Sequence, residues 1–475
     1  MSPVFRIAAE EWRYWRRSRL GLAASVVIVI VLLASAVVTW REVASERDHR
    51  EQLQTTAENI FFDQPARHPH RMVHYGHYVF RTPPPLALID PGVDVYTGAA
   101  VFLEGHRQNS ATFSPAYSGP QGGSFANLSP ATVYQVLVPL MLIAVGFSAV
   151  ARERERGSDL LLLTAPMSSR ELWFGKTLAL AAVAALVLLP LLAAVVLATG
   201  YALDGIMLLV GYALYLLGWV CLTTSVSARS RSSSNALAVL LSLWLAACIV
   251  LPRVAASGAE VLLPVPSKIE ADLAVAKAMR SLGDGHNAAD PAFEQLRANL
   301  LVQHDVDKVE DLPINIRGVV AEAAEAELKQ VMDGFAEGYA MQEKAQADAV
   351  RWSSLVSPQL AIRGFSTSLA GTDLAHRHRF LIEAEEARYR FVQDLNQLHA
   401  SDLNYADDIR RSSDAGAEKR TRVSSDNWAS LAKFRLAPDP LADRLGRGLP
   451  FFALLLAFLV LATALGVTAR PAGVR

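Results

Sequence analysis

The stretch VARERERGSDLLLLTAPMSSRELWFGKTLAL, Val150 to Leu180, places a run of charges, one Pro and two Gly between two long apolar segments. The apolar segments on either side, residues 131–150 and 177–200, contain no Asp, Glu, Lys, Arg or His. Uncharged apolar windows of about 20 residues are long enough to cross a bilayer as helices. The stretch is therefore predicted to connect two membrane spans.

The same search along the rest of the chain finds four further windows. They cover residues 20–40, 205–226, 236–251 and 449–468. A hydrophobic fraction of 52% with only 19% charged residues also favours a membrane protein with soluble parts over a soluble enzyme. The first window is too long for the core of a cleaved signal peptide. We expect an all-α polytopic membrane protein with about six transmembrane helices.

Arginine and lysine indicate the orientation of these spans. They are frequent in residues 1–19, 151–176, 227–235 and 469–475, which all fall on one side of a six-span protein. Because basic short segments stay inside, both termini are predicted to be cytoplasmic. Residues 1–19 contain Trp12 and Trp15 among arginines, which predicts an interfacial helix in contact with membrane lipid. The alternative is a continuation of the first span.

Two long segments then face outward, residues 41–130 and 252–448. In the second, apolar residues recur every three or four positions among charges, which predicts a large, mostly helical extracytoplasmic domain. The first is rich in Pro, Gly and His. Its histidines His74, His77 and His106 are candidate metal ligands. Their spacing matches no closed zinc motif, so a histidine-rich surface is the alternative.

The chain shows no source of energy of its own. The six windows lack the ionisable groups at membrane depth that ion-coupled carriers use. Gly175-Lys176-Thr177 ends like a P-loop, but Arg170 occupies the position of the first Gly, and the segment runs into a span. We therefore expect no cofactor on this chain. If ATP drives the protein, another chain must bind it.

The opening stretch resembles a pattern in permeases of the type-two ABC exporter family. There a span ends in a Glu-rich turn with Gly, a short Leu-rich helix and Pro-Ser-Arg follow, and Gly-Lys begins the next span. The corresponding residues here are Glu153, Glu155, Gly157, Leu160, Pro166, Arg170 and Lys176. The outer segments, with HYGHYVF, IDPGVDVY and SPQLAIRGFSTSLAGTD, resemble a subfamily with large extracytoplasmic insertions, related to multicopper-enzyme maturation permeases.

The resemblance implies a multi-pass protein of the bacterial inner membrane. Residues 151–176 would contain a coupling helix that docks into a separate P-loop ATPase subunit, which holds ATP and Mg. A second permease, identical or paralogous, would complete the transporter. A periplasmic protein is a further candidate partner, and nothing points to nucleic acid.

Three functions follow as hypotheses. The first is a non-catalytic permease subunit that couples ATP hydrolysis on its partner to export or to mechanical work in the periplasm. The second is a membrane-anchored periplasmic assembly factor or sensor without translocation. The third is a metal-dependent periplasmic enzyme that uses the histidine-rich segment.

Overall fold

The computed structural model describes residues 2–113, 128–157, 168–200, 202–280, 282–428 and 434–469. Over these residues the chain is mainly helical, and its strands form a single two-stranded sheet. The predicted fold class, an all-α polytopic membrane protein, is confirmed.

Among the described residues, six helices are long and apolar enough to cross a membrane, the number that the sequence predicts. In chain order, spans 1 to 6 are Ala23–Phe62, Pro130–Glu155, Ser169–Thr199, Leu203–Arg229, Ser233–Leu262 and Leu441–Val467. Arg152 at the end of span 2 bonds to Glu11, and Arg229 at the end of span 4 bonds to Leu465 near the end of span 6. The end of the bundle where these residues lie is here named the terminus side. The two long insertions lie on the other side, named the insertion side.

Spans 2 and 4 form the centre of the bundle. Their apolar windows are 67% and 56% buried, against 22%, 11% and 17% for spans 1, 5 and 6. Tyr215 of span 4 donates to the backbone oxygen of Gln135 in span 2 at 2.5 Å. Gly146 of span 2 lies so close to Leu180 and Thr223 that a Cβ would clash with both. The exposed outer spans leave apolar side chains for lipid or for another chain.

The helix of span 1 continues far beyond the membrane. It runs from Leu20 to Phe62, 43 residues, which is about 64 Å long at 1.5 Å per residue. A hydrocarbon core is about 30 Å thick, so the charged half after Trp40 projects on the insertion side. The sequence places the end of the span at Trp40, but the helix does not end there, because residues 41–62 have no helix breaker.

The projecting half of this helix supports the only sheet of the described residues. Strands His77–Phe80 and Ala100–Leu103 pair antiparallel, with His77 opposite Leu103. Gln54 accepts a hydrogen bond from the backbone of Phe80 at 2.9 Å, and Arg50 donates to the oxygen of Arg81 at 2.9 Å.

The rest of the insertion side is helical, as the periodicity predicts. Beyond the spans, its α-helices are Pro69–Val73, Lys268–Met279, Glu294–His304, Ile316–Trp352, Pro358–Ala370, Leu374–Asp402, Tyr405–Arg410 and Ala415–Arg420. Short 3-10 helices lie at Pro85–Leu88, Pro291–Phe293, Val309–Asp311, Ser353–Leu355 and Ser425–Trp428. Phe61, Met72 and Val79 of the first insertion share a buried cluster with Phe380 and Trp428 of the second. Both insertions therefore contribute to one core.

The helix Pro358–Ala370, named the wedge helix, inserts between the spans. Its Phe365 contacts Gly211 of span 4, where a Cβ would lie 2.1 Å from the ring. The Phe365 ring also lies 5.6 Å from the ring of Phe452 in span 6, at an angle of 43°. Ser357 begins the helix and donates to the oxygen of Ala247 in span 5 at 2.7 Å. Gly371 ends it with a φ of 68°, a conformation that favours glycine. The motif SPQLAIRGFSTSLAG thus forms the joint between insertion and membrane.

Candidate functional site

The N-terminal helix, Pro3–Ser18, is separate from span 1 because Arg19 adopts a left-handed φ of 56°. It packs on the start of span 3, where Gly175 makes room for it. A Cβ at Gly175 would lie 2.6 Å from the Cβ of Ile7. Glu11 and Trp15 are buried by this contact. Protein, and not only lipid headgroups, therefore covers one face of this helix.

Four charged side chains meet beneath the N-terminal helix, and we name Glu11, Arg152, Glu153 and Lys176 the four-charge cluster. The Lys176 ammonium donates to Glu11 at 2.6 Å and to Glu153 at 2.7 Å. The Arg152 guanidinium donates to Glu11 at 2.9 and 3.2 Å. Glu11 is only 1% exposed, Lys176 5% and Arg152 7%. The cluster joins the N-terminal helix, the end of span 2 and the start of span 3.

The charges of this cluster balance, two negative and two positive. Charges are buried in proteins only when they are paired, because each loses several kcal/mol of hydration. The Arg152 guanidinium gains a further partner, since it lies 3.6 Å from the centre of the Tyr14 ring. Removal of one member would leave its partner buried without a counter-charge.

The neighbouring residues tie the end of span 2 to the second short loop. Arg154 donates to the oxygen of Ser230 at 2.7 Å and to that of Ala228 at 2.5 Å. The Glu155 carboxylate accepts from the nitrogen and hydroxyl of Ser233 at 2.8 and 2.6 Å, at the start of span 5. Both short loops therefore belong to one bonded layer on the terminus side.

The structure places the predicted coupling residues in three settings. Glu153 and Lys176 lie in the four-charge cluster, and Glu155 caps span 5. Gly157, with a φ of 68°, follows the short helix Ala151–Glu155, and apart from its chain neighbours no described side chain or backbone comes within 4 Å of the place that a Cβ would take there. Arg170 is exposed in the first turn of span 3. Leu160 and Pro166 lie outside the described residues.

The helix of span 3 begins at Ser169, within the predicted loop 151–176. Ser168 and Glu171 form a reciprocal capping box, in which Glu171 accepts from the nitrogen of Ser168 at 2.7 Å. The spacing Ser-x-x-Glu is visible in the sequence and signals this start. Glu11, by contrast, looks like any exposed acidic residue, so the sequence gives no sign of its burial.

A second polar cluster lies at the insertion-side end of the spans, and we name Asp90, Gln135, Tyr212 and Ser366 the joint cluster. The Gln135 amide donates to the Tyr212 hydroxyl at 3.0 Å and to the Asp90 carboxyl at 3.4 Å. The hydroxyls of Tyr212 and Ser366 are 3.0 Å apart. This cluster connects the first insertion and spans 2 and 4 to the wedge helix. Gln135 lies in a span, where an amide needs such partners.

The candidate metal ligands separate in the structure. His74 and His106 lie together with His70 and with His286 from the second insertion. Burial and the neighbouring imidazoles lower the pKa of His70 to about 2 and also lower the pKa of His74. His77 is outside this group, buried 5.3 Å from the Phe61 ring. Burial lowers the pKa of His77 to about 4.

Comparison with protein families agrees with the membrane architecture. The family model described as ABC-2 family transporter protein matches residues 5–289, more than half of the chain. The chain belongs to the ABC-2 transporter family. A second model, a domain of unknown function named DUF3526, matches residues 268–437 of this ABC-2 protein. No curated protein matches the chain.

Membership of the ABC-2 family makes the chain a transmembrane permease of an ABC transporter, as the resemblance in the sequence indicated. The family also implies a partnering ATPase subunit. The DUF3526 match covers most of the second insertion, including the wedge helix and the long helices Ile316–Trp352 and Leu374–Asp402. This ABC-2 permease thus carries an extra domain on its insertion side.

Proposed function

We propose that the chain couples ATP hydrolysis on a separate P-loop ATPase subunit to movement of its spans, and that residues 151–176 receive this movement. The observation that supports the proposal is the four-charge cluster, whose ion pairs of 2.6 to 2.9 Å fix this segment at both ends. Ion pairs of this kind allow the N-terminal helix, the end of span 2 and the start of span 3 to be displaced as one body. Spans 2 and 3 and the N-terminal helix would shift together.

In this proposal the terminus side is the cytoplasmic side of a bacterial inner membrane, in agreement with its many arginines. The partner binds ATP and Mg, and this chain is non-catalytic. A second permease, a copy or a paralogue, completes the path. Span 5, only 11% buried, leaves apolar surface available for lipid or for that second chain.

The work is done on the insertion side, as export of a substrate or as force on a periplasmic protein. A groove of about 970 Å³ on this side supports the second candidate function, a membrane-anchored assembly factor or sensor without translocation. Met332, Phe335 and Tyr339 line the groove. Its charged lining residues are Lys268, Glu270, Asp272, Glu343, Arg377 and Glu385. Grooves that combine apolar walls with a few polar groups are typical binding sites.

The variant Arg170→Glu tests the proposal without touching the four-charge cluster. Arg170 is an exposed residue of the coupling segment, and interface arginines often contribute strongly to binding. The full chain would be expressed with its native gene neighbours, purified in detergent through a tag and analysed by mass spectrometry. Arg17→Glu, an exposed arginine of the N-terminal helix with the same charge change, is the matched control.

We expect wild type and Arg17→Glu to recover a P-loop ATPase, and Arg170→Glu to recover about tenfold less, a loss of about 1.4 kcal/mol in binding. Equal recovery of the ATPase by all three chains would contradict the proposal that this segment binds the ATPase. If the ATPase is recovered normally but the purified complexes transport no substrate, the result favours the second candidate function, an assembly factor or sensor without translocation.

A further inference from the structure

Four histidines from distant parts of the chain meet on the insertion side, and we name His70, His74, His106 and His286 the four-histidine cluster. Each offers one ring nitrogen, and these nitrogens all lie within 4.8 Å of one another. His70, His74 and His106 come from the first insertion. His286 comes from the second, in the loop between the helices Lys268–Met279 and Glu294–His304. Folding alone brings them together.

The spacing of the nitrogens matches tetrahedral metal coordination. The Nε2 atoms of His74 and His70 are 3.3 Å apart, and those of His286 and His74 are 3.4 Å apart. A Zn–N bond of 2.0–2.1 Å places two ligand nitrogens at the tetrahedral angle roughly 3.3–3.4 Å apart. The remaining pairs need only small side-chain rotations to reach this separation.

Carboxylates hold the outer nitrogens of two of these rings. Nδ1 of His106 lies 3.0 Å from the Glu325 carboxylate, which is buried and also binds Arg388 at 2.6 Å. Nδ1 of His286 lies 3.1 Å from Asp284. Metal-ligating histidines usually donate their other N–H to a carboxylate in this way, which fixes the ring and its tautomer. Both rings therefore direct Nε2 towards the cluster.

An unsatisfied atom provides an independent indication of a missing partner. Nε2 of His106 is buried and has no hydrogen-bond partner among the described residues. A buried polar nitrogen without a partner costs free energy, and native structures rarely contain one unless a water or an ion fills the gap. His106 itself has a left-handed φ of 62°, so the backbone holds this ring in place at the expense of strain.

We propose that the four-histidine cluster binds one divalent first-row transition-metal ion, such as Zn²⁺, through four imidazole nitrogens. Neutral imidazoles suit Zn²⁺ and its neighbours and do not suit Mg²⁺ or Ca²⁺, which prefer oxygen. His74 and His286 are exposed, so the ion can enter from solvent. The nearby carboxylates of Asp284 and Glu325 partly balance its charge.

Four protein ligands complete a tetrahedral shell and leave no open position for a substrate. The metal is therefore structural and not catalytic, unlike the metal of the enzyme hypothesis from the sequence. It joins the loop 282–293 of the second insertion to the helix Pro69–Val73 of the first. This inference does not depend on the proposed ATPase coupling, because its residues lie on the opposite side of the membrane.

Metal binding by the purified full chain tests the inference. The chain would be prepared in detergent with a tag that lacks histidine, stripped with a chelator and titrated with Zn²⁺ against a chromophoric competitor. His286→Ala removes one ligand whose side chain is 52% exposed, so the fold should tolerate it. His49→Ala, an exposed histidine on the projecting half of the first helix, is the matched control.

We expect one Zn²⁺ per chain for wild type and His49→Ala. We expect affinity to fall by more than about tenfold in His286→Ala, and by roughly tenfold in Asp284→Asn, which loses only the supporting carboxylate. Bound Co²⁺ should give the intense visible absorption of a tetrahedral site in the wild type. No stoichiometric binding by wild type, or equal affinity in His286→Ala, would overturn the proposal.

Discussion

Ion pairs join the chain on the terminus side, where Glu11, Arg152, Glu153 and Lys176 connect three segments. On the insertion side, the hydrogen bonds of Gln135 and Tyr212 connect the spans to the wedge helix. Loss of one buried charge leaves its partner unpaired, whereas a neutral hydrogen bond is easily exchanged for another. Loss of a charge from the four-charge cluster should therefore destabilise the protein more than loss of a hydroxyl from the joint cluster.

The largest effect is expected from Lys176→Met. This change removes the ammonium that bonds to buried Glu11 and half-buried Glu153, and it should lower the free energy of unfolding by about 3–5 kcal/mol. The midpoint of thermal unfolding in detergent measures it. The double variant Glu11→Gln/Lys176→Met leaves one balanced pair, Arg152 and Glu153, and should recover most of the loss. If the double variant is less stable than the single one, the cluster does not act through charge balance.

Gly175→Ala tests the contact between the N-terminal helix and span 3. The new Cβ would meet Ile7 at 2.6 Å, and overpacking of this kind costs about 1–3 kcal/mol. Gly258→Ala is the matched control, a helical glycine with nothing within 4 Å, and should be neutral or stabilising. Proteolysis of the N-terminal helix should become faster in Gly175→Ala alone. If the two changes had equal effects on stability, helix propensity and not this contact would explain the effect of Gly175→Ala.

Tyr212→Phe probes the joint cluster in the same way. It removes the hydroxyl that lies 3.0 Å from both Gln135 and Ser366, and we expect a loss of about 1–2 kcal/mol. Exposed Tyr78 serves as the control site for the same change. If Tyr212→Phe destabilises the protein as much as Lys176→Met, the contrast between the two sides is lost.

Mild acid should act on the insertion side alone through histidine, because all 11 histidines lie between residues 41 and 448. The pKa of His77 falls from 6.5 to about 4 in the folded chain. Below pH 6.5, His77 is therefore protonated in the unfolded chain but still neutral in the folded chain. The free energy of unfolding falls as the pH drops from 6.5 towards 4. At pH 5.5 this amounts to about 1.4 kcal/mol.

His77→Leu should make this acid dependence less steep, although His68 and His70, whose pKa values are also lowered, keep part of it. His49→Leu should leave it unchanged. Unfolding midpoints between pH 7.5 and 5.5 measure the difference. An identical slope in wild type and His77→Leu would show that His77 is not the group that responds to acid.

The sequence predicts the spans well because bilayer crossing requires a local property, an apolar window of sufficient length. It also identifies the block from Glu153 to Lys176, whose charges and glycines are contiguous. The end of the helix at Phe62 is not predictable in this way. The charged residues after Trp40 end the apolar window, but they are good helix formers and so the helix continues through them.

Clusters that depend on distant residues remain beyond such reasoning. Glu11 lies 165 positions from Lys176, and His286 lies 212 positions from His74, so no local pattern connects them. In sequence His77 looks like one more member of the histidine-rich segment. In the structure it lies in a strand, where side chains alternate between the two faces, and its side chain points into the core. The wedge helix reads as one more amphipathic helix until its contacts with Gly211 and Phe451 are known.

The most direct test of the coupling proposal is photo-crosslinking in native membranes. A photoreactive residue would replace Arg170 in the coupling segment or, as the control, Met341, which is 66% exposed on the insertion side. The account predicts a covalent adduct between a P-loop ATPase and the chain with the probe at position 170, and none with the probe at position 341. An ATPase adduct from position 341, or none from position 170 in membranes that contain the partner, would contradict it.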